Sequence, residues 1–284
     1  MPWFEFTICD VFTDRPLAGN QLAVFPEAPA IDPRLLARLA REINFSETVF
    51  VYPPAEGGTA RVRIFTPGGE IPFAGHPVLG TAIVLGRARR LGEVVLETGR
   101  GPVPVRLAYQ DAHTASGWMR QPVPSVAAFD DARLLPALGV ARSELPVEVY
   151  DNGIRHVYVT LPDEAAVAAL RPDFARLADL GLLGLNCVAG RGTAWKSRMF
   201  GPAHGVAEDP ATGSAAGPLA CHLARHGRIA YGQEIVISQG AEIGRPSRLL
   251  ARVEGDSGHF RAVEVGGSAV VVGRGAFRSD LPAE

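Results

Sequence analysis

Residues 73–82 read FAGHPVLGTA and residues 208–217 read EDPATGSAAG, and these two stretches are the strongest indication of the fold. Each carries a glycine at a turn, Gly75 in the first and Gly213 in the second, followed by small and apolar residues. A helix that is apolar on every face is buried on most sides in a folded protein. We therefore predict two buried central helices. They span Pro77–Leu91 and Ser214–His226.

The two stretches are part of an internal duplication. RIFTP at 63–67 recurs as RMFGP at 198–202, and GNQLAV at 19–24 aligns loosely with GIRHVY at 153–158. Each similarity alone is weak, but four similarities follow in the same order and at nearly the same spacing along the chain. We predict two homologous halves, residues 1–128 and 129–284. The alternative for the C-terminal segment is that it packs on the first half.

The apolar periodicity of each half predicts many short strands. The predicted strands are Phe4–Phe12, Thr48–Tyr52, Arg61–Thr66, Val103–Leu107, Gly117–Gln121, Val147–Tyr150, His156–Leu161, Lys196–Phe200, Glu234–Ser238 and Ala269–Val272. Two amphipathic helices are also predicted, one through Leu35, Leu36, Leu39 and Ile43 and one through Phe174, Leu177 and Leu180. The predicted fold is α+β, in which each half is a curled, mostly antiparallel sheet around one central helix, and the join forms a cleft.

Composition excludes several classes of protein. The 284 residues include 28 Lys+Arg and 30 Asp+Glu, so the chain lacks the basic field that attracts nucleic acid. No stretch reaches the roughly 18 apolar residues of a membrane helix, and the N-terminus lacks a signal-peptide pattern. Cys9, Cys187 and Cys221 are far apart and odd in number, which argues against a disulfide framework or a zinc knuckle. A cytoplasmic protein is expected.

The two glycine-bearing turns suggest an anion site. Helix N-termini carry unpaired N–H groups and a partial positive charge, and glycine lets a ligand approach the backbone. If the halves face each other, the turns at Gly75 and Gly213 converge, and we expect a small carboxylate to bind between the two helix N-termini. The alternative is that both glycines only permit turns.

Three polar residues beside these turns have both functional and structural interpretations. His76 lies in the first helical turn, where the helix dipole favours a neutral ring that donates or carries a proton, although a lone histidine is more often structural. Asp209 is a candidate substrate contact and a candidate helix cap, and the two roles are compatible. Ser214 either donates a hydrogen bond to a ligand or is a small helix residue.

Glu47 is the candidate acid/base. It enters an apolar strand beside Phe45, Val49 and Phe50, and a desolvated carboxyl group there has a raised pKa suited to proton transfer. The equivalent segment of the second half, residues 185–188, contains no acid, so Glu47 breaks the symmetry of the duplication. The alternative is a glutamate exposed to water on an edge strand.

No dinucleotide-binding, P-loop, metalloprotease or nucleophile-elbow motif occurs in the sequence. His222 and His226, at i and i+4, form a possible metal pair, but no adjacent carboxylate supports it. We expect them to lie at the C-terminal end of the second central helix. No cofactor and no metal are predicted.

At these motifs the chain resembles the PhzF-like family of phenazine biosynthesis proteins, within the diaminopimelate epimerase-like fold. The resemblance runs nearly end to end, through DVFT at 10–13, GNQLAV at 19–24, FSET at 45–48, FAGHP at 73–77 and EDPATGS at 208–214. It implies two similar barrel-like halves with the active site between them, in a homodimer. It also implies a cofactor-independent isomerase that moves a proton on an unsaturated hydroxy-amino acid.

The resemblance also implies roles for individual residues. It makes Glu47 the acid/base, with His76 and Asp209 as catalytic residues. The implied substrate contacts are Ser46, Gly75, Gly213 and Ser214. Related epimerases and racemases carry a cysteine in each turn, but here the corresponding positions are Ala74 and Pro210.

Two-thiol racemisation is therefore excluded, and proton transfer by one carboxyl group remains. The predicted function is isomerisation of a small carboxylic acid similar to that of dihydro-hydroxyanthranilate isomerase. The alternatives are a non-catalytic carboxylate-binding protein and an epimerase or lyase that uses the same pocket.

Overall fold

The computed structural model describes residues 3–182, 184–256 and 259–280 of the chain. It divides into two compact units, one reaching to Met119 and resuming at Gly266, the other spanning Arg120–Val265. The C-terminal part of the chain thus belongs to the first unit. The duplication boundary at residues 128 and 129 stays a prediction.

Eight strands close a barrel in the first unit. They are Trp3–Val11 (β1), Asn20–Phe25 (β2), Glu47–Tyr52 (β3), Ala60–Thr66 (β4), Glu93–Thr98 (β6), Gly101–Tyr109 (β7), Thr114–Gln121 (β8) and the end of His259–Arg278 (β17), while Gly69–Ile71 (β5) extends β4 as a hairpin. The pairs β2–β3 and β4–β6 are parallel, and β1–β2, β3–β4, β6–β7, β7–β8 and β1–β17 are antiparallel. Pairing of β8 with β17 completes the ring.

The second unit repeats this order of pairings. Its strands are Ser125–Ala128 (β9), Glu148–Asp151 (β10), Arg155–Thr160 (β11), Gly184–Arg191 (β12), Ala194–Gly201 (β13), Val206–Asp209 (β14), Ile235–Gln239 (β15), Ser247–Asp256 (β16) and the first part of β17. The parallel pairs β11–β12 and β13–β15 correspond to β2–β3 and β4–β6. The predicted α+β fold is confirmed, with a curled sheet in each unit.

Each unit has more than one helix, and its sheet encloses one of them. The helices are Leu36–Ile43 (α1), Gly75–Arg89 (α2), Leu134–Leu138 (α3), Glu164–Ala169 (α4), Phe174–Ala178 (α5) and Gly213–Arg225 (α6), with short 3-10 turns at Ala28–Ala30, Pro33–Leu35, Pro202–His204 and Ala241–Ile243. Helix α2 contacts β1, β2, β3, β6 and β7, and 11 of its 15 residues are buried. Helix α6 packs on β11 and β16, and 12 of its 13 residues are buried. These are the two predicted central helices.

Small residues allow the sheets to approach these helices. A Cβ atom at Gly80 of α2 would lie 2.7 Å from side-chain atoms of Leu22 and Val11. A Cβ atom at Gly217 of α6 would lie 2.5 Å from Gln121 Oε1 and from Val263 Cγ1. At the packing density of a protein interior, these two positions have no room for a side chain. The glycines therefore allow the sheet to pack closely against each helix.

The structure corrects several predicted elements. Strand β17 is 20 residues long, whereas only Ala269–Val272 was predicted, because Gly266 and Gly267 interrupt the apolar pattern. Gly266 is required within the strand, since a Cβ atom there would lie 2.6 Å from the Trp118 ring. The strands that were not predicted are β2, β5, β6, β9, β12, β14 and β16. Helix α5 is a single short turn of helix rather than an amphipathic helix reaching Leu180. Among the described residues, no helix has the length and apolar composition needed to cross a membrane.

The duplicated RxFxP strands provide a matched pair of ion pairs. In the second unit Arg198 binds Glu208 at 2.7 and 2.8 Å, with the two side chains only 6% and 7% exposed, and its Nη1 also donates to the carbonyl oxygens of residues 167, 168 and 170. In the first unit Arg63 binds Glu70 at 2.6 and 2.8 Å, but these side chains are 31% and 43% exposed. The same contact therefore exists in two different solvent environments.

We predict that Arg198→Met lowers the free energy of unfolding by about 3–5 kcal/mol, because it leaves a buried carboxylate and three carbonyl oxygens without a donor. Arg63→Met, the control, should cost less than about 1 kcal/mol, since water solvates the remaining Glu70. Urea unfolding of both variants measures the difference. Equal losses would show that burial does not decide the contribution of this pair.

Candidate active site

Glu47 and His76 lie side by side in the first unit. Glu47 is the first residue of β3, and β3 pairs with β2 on one side and β4 on the other. The Glu47 side chain is 16% exposed, and its Oε2 lies 3.5 Å from Nδ1 of His76. The alternative interpretation of Glu47, an exposed residue on an edge strand, is therefore wrong.

His76 is the second residue of α2 and is 3% exposed. Burial lowers the pKa of His76 from 6.5 to about 3, although a hydrogen bond to the Gln21 backbone acts in the opposite direction, so the ring is neutral at pH 7. Asn20 Nδ2 lies 3.3 Å from the same Nδ1 that faces Glu47. His76 Nε2 is buried and has no hydrogen-bond partner among the described residues. The contacts with Asn20 and Glu47 both involve Nδ1, so they hold the ring at that edge.

The N-terminus of α2 has the features of an anion site. No side chain caps it, since the N-cap residue is Ala74. Gly75 and His76 provide first-turn amides, while Pro77 has no N–H. Ser46 is half-buried and directly precedes Glu47 at the start of β3.

In the second unit Asp209 organises the turn that leads into α6. It is the last residue of β14, and its Oδ2 accepts a hydrogen bond of 2.6 Å from the hydroxyl of Thr212, the N-cap residue. Gln239 donates to the Asp209 carbonyl and to Thr212 Oγ1, at 2.8 and 2.9 Å. The Thr212 hydroxyl is engaged in this network and caps no first-turn amide of α6.

Ser214, the second residue of α6, occupies the place that His76 has in α2. Its Oγ lies 3.1 Å from Nε2 of His156, a residue of β11 that is fully buried. Gly213 precedes it, and its carbonyl oxygen accepts a 2.8 Å hydrogen bond from Gln121. Ser214 is thus part of a polar network within this unit rather than only a small helix residue.

Strand register identifies the counterpart of Glu47. In the antiparallel pair β3–β4, Thr48 lies opposite Phe65, and in the antiparallel pair β12–β13, Leu185 lies opposite Phe200, the phenylalanine of the second RxFxP strand. Glu47 therefore corresponds to Gly184, which directly precedes the acid-free segment 185–188. One unit has a carboxyl group where the other has a glycine. Sequence reasoning missed His156 and Asn186, because their contacts depend on how distant strands pair.

The three cysteines offer no reactive thiol. Cys9, Cys187 and Cys221 are free and fully buried. Burial raises the pKa of each thiol well above its usual range, which suppresses the thiolate that acid/base chemistry requires.

Glu148, His222 and His226 are the residues that could hold a metal ion, with one ligand atom of each within 4.8 Å of the others. The expectation that no carboxylate lies beside the histidines was wrong, because β10 brings Glu148 to the C-terminal end of α6. Glu148 Oε2 lies 2.8 Å from the Tyr150 hydroxyl, 3.3 Å from His222 Nδ1 and 2.9 Å from His226 Nε2. Its Oε1 lies 3.5 Å from Nε of Arg225.

The hydrogen bonds to Glu148 explain its lowered pKa. Burial by itself raises the pKa of Glu148, but hydrogen bonds from His222, His226 and Tyr150 outweigh it and bring the pKa down to about 2. The carboxylate thus receives several donors and a neighbouring guanidinium, which is a complete set of partners without an ion.

Comparisons with solved structures place the fold. A Bacillus anthracis phenazine biosynthesis protein of the PhzF family superposes with a TM-score of 0.83 at 24% identity, covering 98% of this chain and 100% of that one. A hydroxyproline epimerase from Agrobacterium vitis gives a TM-score of 0.64 at 12% identity, covering 99% and 94%. The fold is therefore of the diaminopimelate epimerase-like class.

Sequence comparisons define the family. The model of the phenazine biosynthesis-like protein family, PhzC-PhzF, matches residues 9–275, and the chain belongs to this family. Trans-2,3-dihydro-3-hydroxyanthranilate isomerase of Pseudomonas fluorescens is 50% identical over 274 residues, covering 96% of this chain and 99% of that protein. The enzyme of the same name from Pseudomonas aeruginosa is 51% identical over 272 residues, covering 95% and 98%. The chain is an isomerase.

The lowered pKa of His76 makes stability depend on pH. Its folded pKa is about 3 and its ordinary value 6.5, so the unfolded chain takes up the proton first as the pH falls. The stabilisation is complete above pH 6.5 and is lost as the pH falls towards 3. By pH 5 the loss is about 2 kcal/mol for this one histidine.

We therefore predict that His76→Gln reduces the difference in unfolding free energy between pH 7 and pH 5 by about 2 kcal/mol. Urea unfolding at the two pH values gives this difference. His113→Gln, which replaces an exposed histidine, is the control. An unchanged difference in His76→Gln would mean that His76 is not held neutral.

We also predict that EDTA leaves the thermal unfolding midpoint unchanged, because Tyr150, His222 and His226 already provide the Glu148 carboxylate with hydrogen-bond partners. The measurement is a differential scanning calorimetry trace before and after chelation, with bound metal quantified by mass spectrometry. A midpoint that falls with EDTA and recovers with Zn²⁺ would instead identify Glu148, His222 and His226 as a metal site.

Proposed function

We propose that this protein is a cofactor-independent isomerase that acts on trans-2,3-dihydro-3-hydroxyanthranilate or a closely similar unsaturated hydroxy-amino acid. The observation that carries the proposal is the pair formed by Glu47 and His76, 3.5 Å apart at the N-terminus of the buried helix α2. The substrate is taken from the relatives that are half identical to this chain over nearly its full length.

In the proposed reaction Glu47 removes a proton from a saturated carbon of the substrate and returns it to another carbon of the conjugated system. One C–H bond breaks and another forms, so no electrons are gained or lost and no co-reactant is consumed. The neutral ring of His76 supports the transfer by holding the Glu47 carboxyl group in place, since its Nδ1 lies 3.5 Å from Glu47 Oε2 and its low pKa keeps the ring unprotonated. Well-placed general acid/base groups contribute about 10²–10⁴-fold.

We assign binding of anionic and polar groups of the substrate to the uncapped N-terminus of α2 at Gly75 and to that of α6 at Gly213, since the partial positive charge of each favours an anion. Ser46 and Ser214 supply hydroxyl donors in this proposal, and Asp209 assists proton transfer. The Asp209–Thr212 hydrogen bond of 2.6 Å supports a defined orientation of that carboxyl group. Positioning of the substrate accounts for much of the remaining acceleration.

We predict that Glu47→Gln lowers kcat by at least about 10²-fold, because it keeps the size of the side chain but removes the group that carries the proton. Substrate affinity and thermal stability should stay close to those of the parent. Glu42→Gln, on the exposed face of α1, is the matched control and should keep full turnover. Turnover of Glu47→Gln within a few-fold of the parent would remove Glu47 from the mechanism.

Reaction in D₂O separates this function from its alternatives. An isomerase that exchanges its proton with solvent gives a product of rearranged connectivity that carries deuterium. A carboxylate-binding protein exchanges nothing, an epimerase returns the same connectivity with inverted configuration, and a lyase gives products of lower mass. Mass and NMR spectra of the products therefore decide among the four.

We further propose a homodimer that works in the cytoplasm. The dimer follows from the family resemblance, and three free, buried thiols support a reducing compartment. Light scattering coupled to size-exclusion chromatography tests the assembly, and a mass of about 30 kDa would reject it, because one chain is 30.1 kDa.

A further inference from the structure

The hydroxyl group of Ser214 sits at the end of a buried polar chain within the second unit. His156 Nε2 lies 3.1 Å from Ser214 Oγ, and Asn186 Nδ2 lies 3.5 Å from the other ring nitrogen, His156 Nδ1. The exposed fractions of Asn186, His156 and Ser214 are 1%, 0% and 5%. A polar chain this deeply buried is costly unless each member has a defined partner.

Asn186 fixes which ring nitrogen carries the hydrogen. Its Nδ2 lies 3.4 Å from the carbonyl oxygen of Val157 and 3.5 Å from that of Gly184, and a carbonyl oxygen can only accept. The amide therefore presents its NH₂ group on this side. His156 Nδ1, which faces the same NH₂ group, must be the acceptor, so the ring carries its hydrogen on Nε2.

The local packing holds His156 neutral and in place. Burial lowers the pKa of His156 from 6.5 to about 3, with the charge of Asp151 acting in the opposite direction. Gly184 provides room for the ring, since a Cβ atom at this position would collide with His156 Nδ1. At pH 7 the imidazole thus has one acceptor nitrogen facing Asn186 and one donor nitrogen facing Ser214.

We propose that Asn186 and His156 are positioning residues that turn the Ser214 hydroxyl into a dedicated donor towards the substrate. His156 Nε2–H donates to Ser214 Oγ, so the hydroxyl hydrogen points away from the ring and is available to an anionic group. This inference rests on the proposed function, because it assumes that Ser214 contacts the substrate.

His76 and Ser214 are each the second residue of their central helix, and each contacts a buried polar side chain of its own unit, Asn20 for His76 and His156 for Ser214. In the first unit the carboxyl group of Glu47, beside His76, provides a site that gains and loses a proton. In the second unit the amide of Asn186 has no titrating proton and can only fix the direction of the hydrogen bonds.

Kinetics provide the first test. His156→Leu is expected to lower kcat/KM by about tenfold to thirtyfold, the effect of one hydrogen bond to a charged group, and Ser214→Ala by a similar factor. The double variant should be no worse than Ser214→Ala alone, because His156 acts only through that hydroxyl. His156→Gln, whose amide nitrogen can donate where Nε2 does, should recover most of the loss. Losses that multiply in the double variant would overturn the inference.

NMR provides a test that needs no turnover. In ¹⁵N-labelled parent protein at pH 7, His156 should show the Nε2–H tautomer, and Asn186→Asp should shift it away, because a carboxylate beside Nδ1 can only accept. A protonated ring or an Nδ1–H tautomer in the parent would reject the inference. If the parent protein converts no substrate, the proposed function is wrong. The tautomer of His156 still shows whether the hydrogen bonds from Asn186 through His156 to Ser214 have the direction inferred here. Near-parent thermal midpoints confirm that each variant is folded, and His113→Gln is the control.

Discussion

Each unit is organised around a helix that has no solvent-facing side. Helices α2 and α6 are built from glycine, alanine and apolar residues, and nearly all of their residues are buried. Such a helix is stable only inside a sheet that covers it, so the curled sheets and the central helices require each other. A covered helix also has its first-turn N–H groups in a buried setting, where unpaired donors are costly. This constraint makes the two helix N-termini the natural positions for polar residues.

The polar residues at these termini differ between the units although the backbone plan is the same. One set contains a carboxyl group beside a neutral imidazole, and the other contains an amide, an imidazole and a hydroxyl. The ion pairs of the RxFxP strands have diverged in a similar way, from half-exposed at Arg63 to buried at Arg198. Duplication thus preserved the strand pairings and helix packing, while the chemistry at equivalent places became different in each copy.

The sequence predicted the features that depend on local pattern. Both central helices begin and end within two residues of their predicted bounds, since composition alone marks a helix that is apolar on every face. Glu47 and His76 were identified by residue type and by their place in the duplication, and their 3.5 Å separation follows from the way β3 and α2 pack. Contacts that depend on long-range pairing could not be predicted, among them Glu148 with His222 and the Asn186–His156 chain. Strand β17 was underestimated because Gly266, which interrupts its apolar pattern, is required by close contact with the Trp118 ring rather than by strand propensity.

Strand β17 also has a consequence for synthesis of the chain. The first unit needs residues 269–278 to pair with β1, and these residues are synthesised after every residue of the second unit. The second unit, in contrast, is complete in sequence at Val265. A nascent chain therefore carries an open barrel, with one side of β1 unpaired, until the whole second unit has been synthesised. The part of the protein made first is the part that closes last, and a truncation near residue 268 would leave the N-terminal barrel open while sparing every residue of the C-terminal unit.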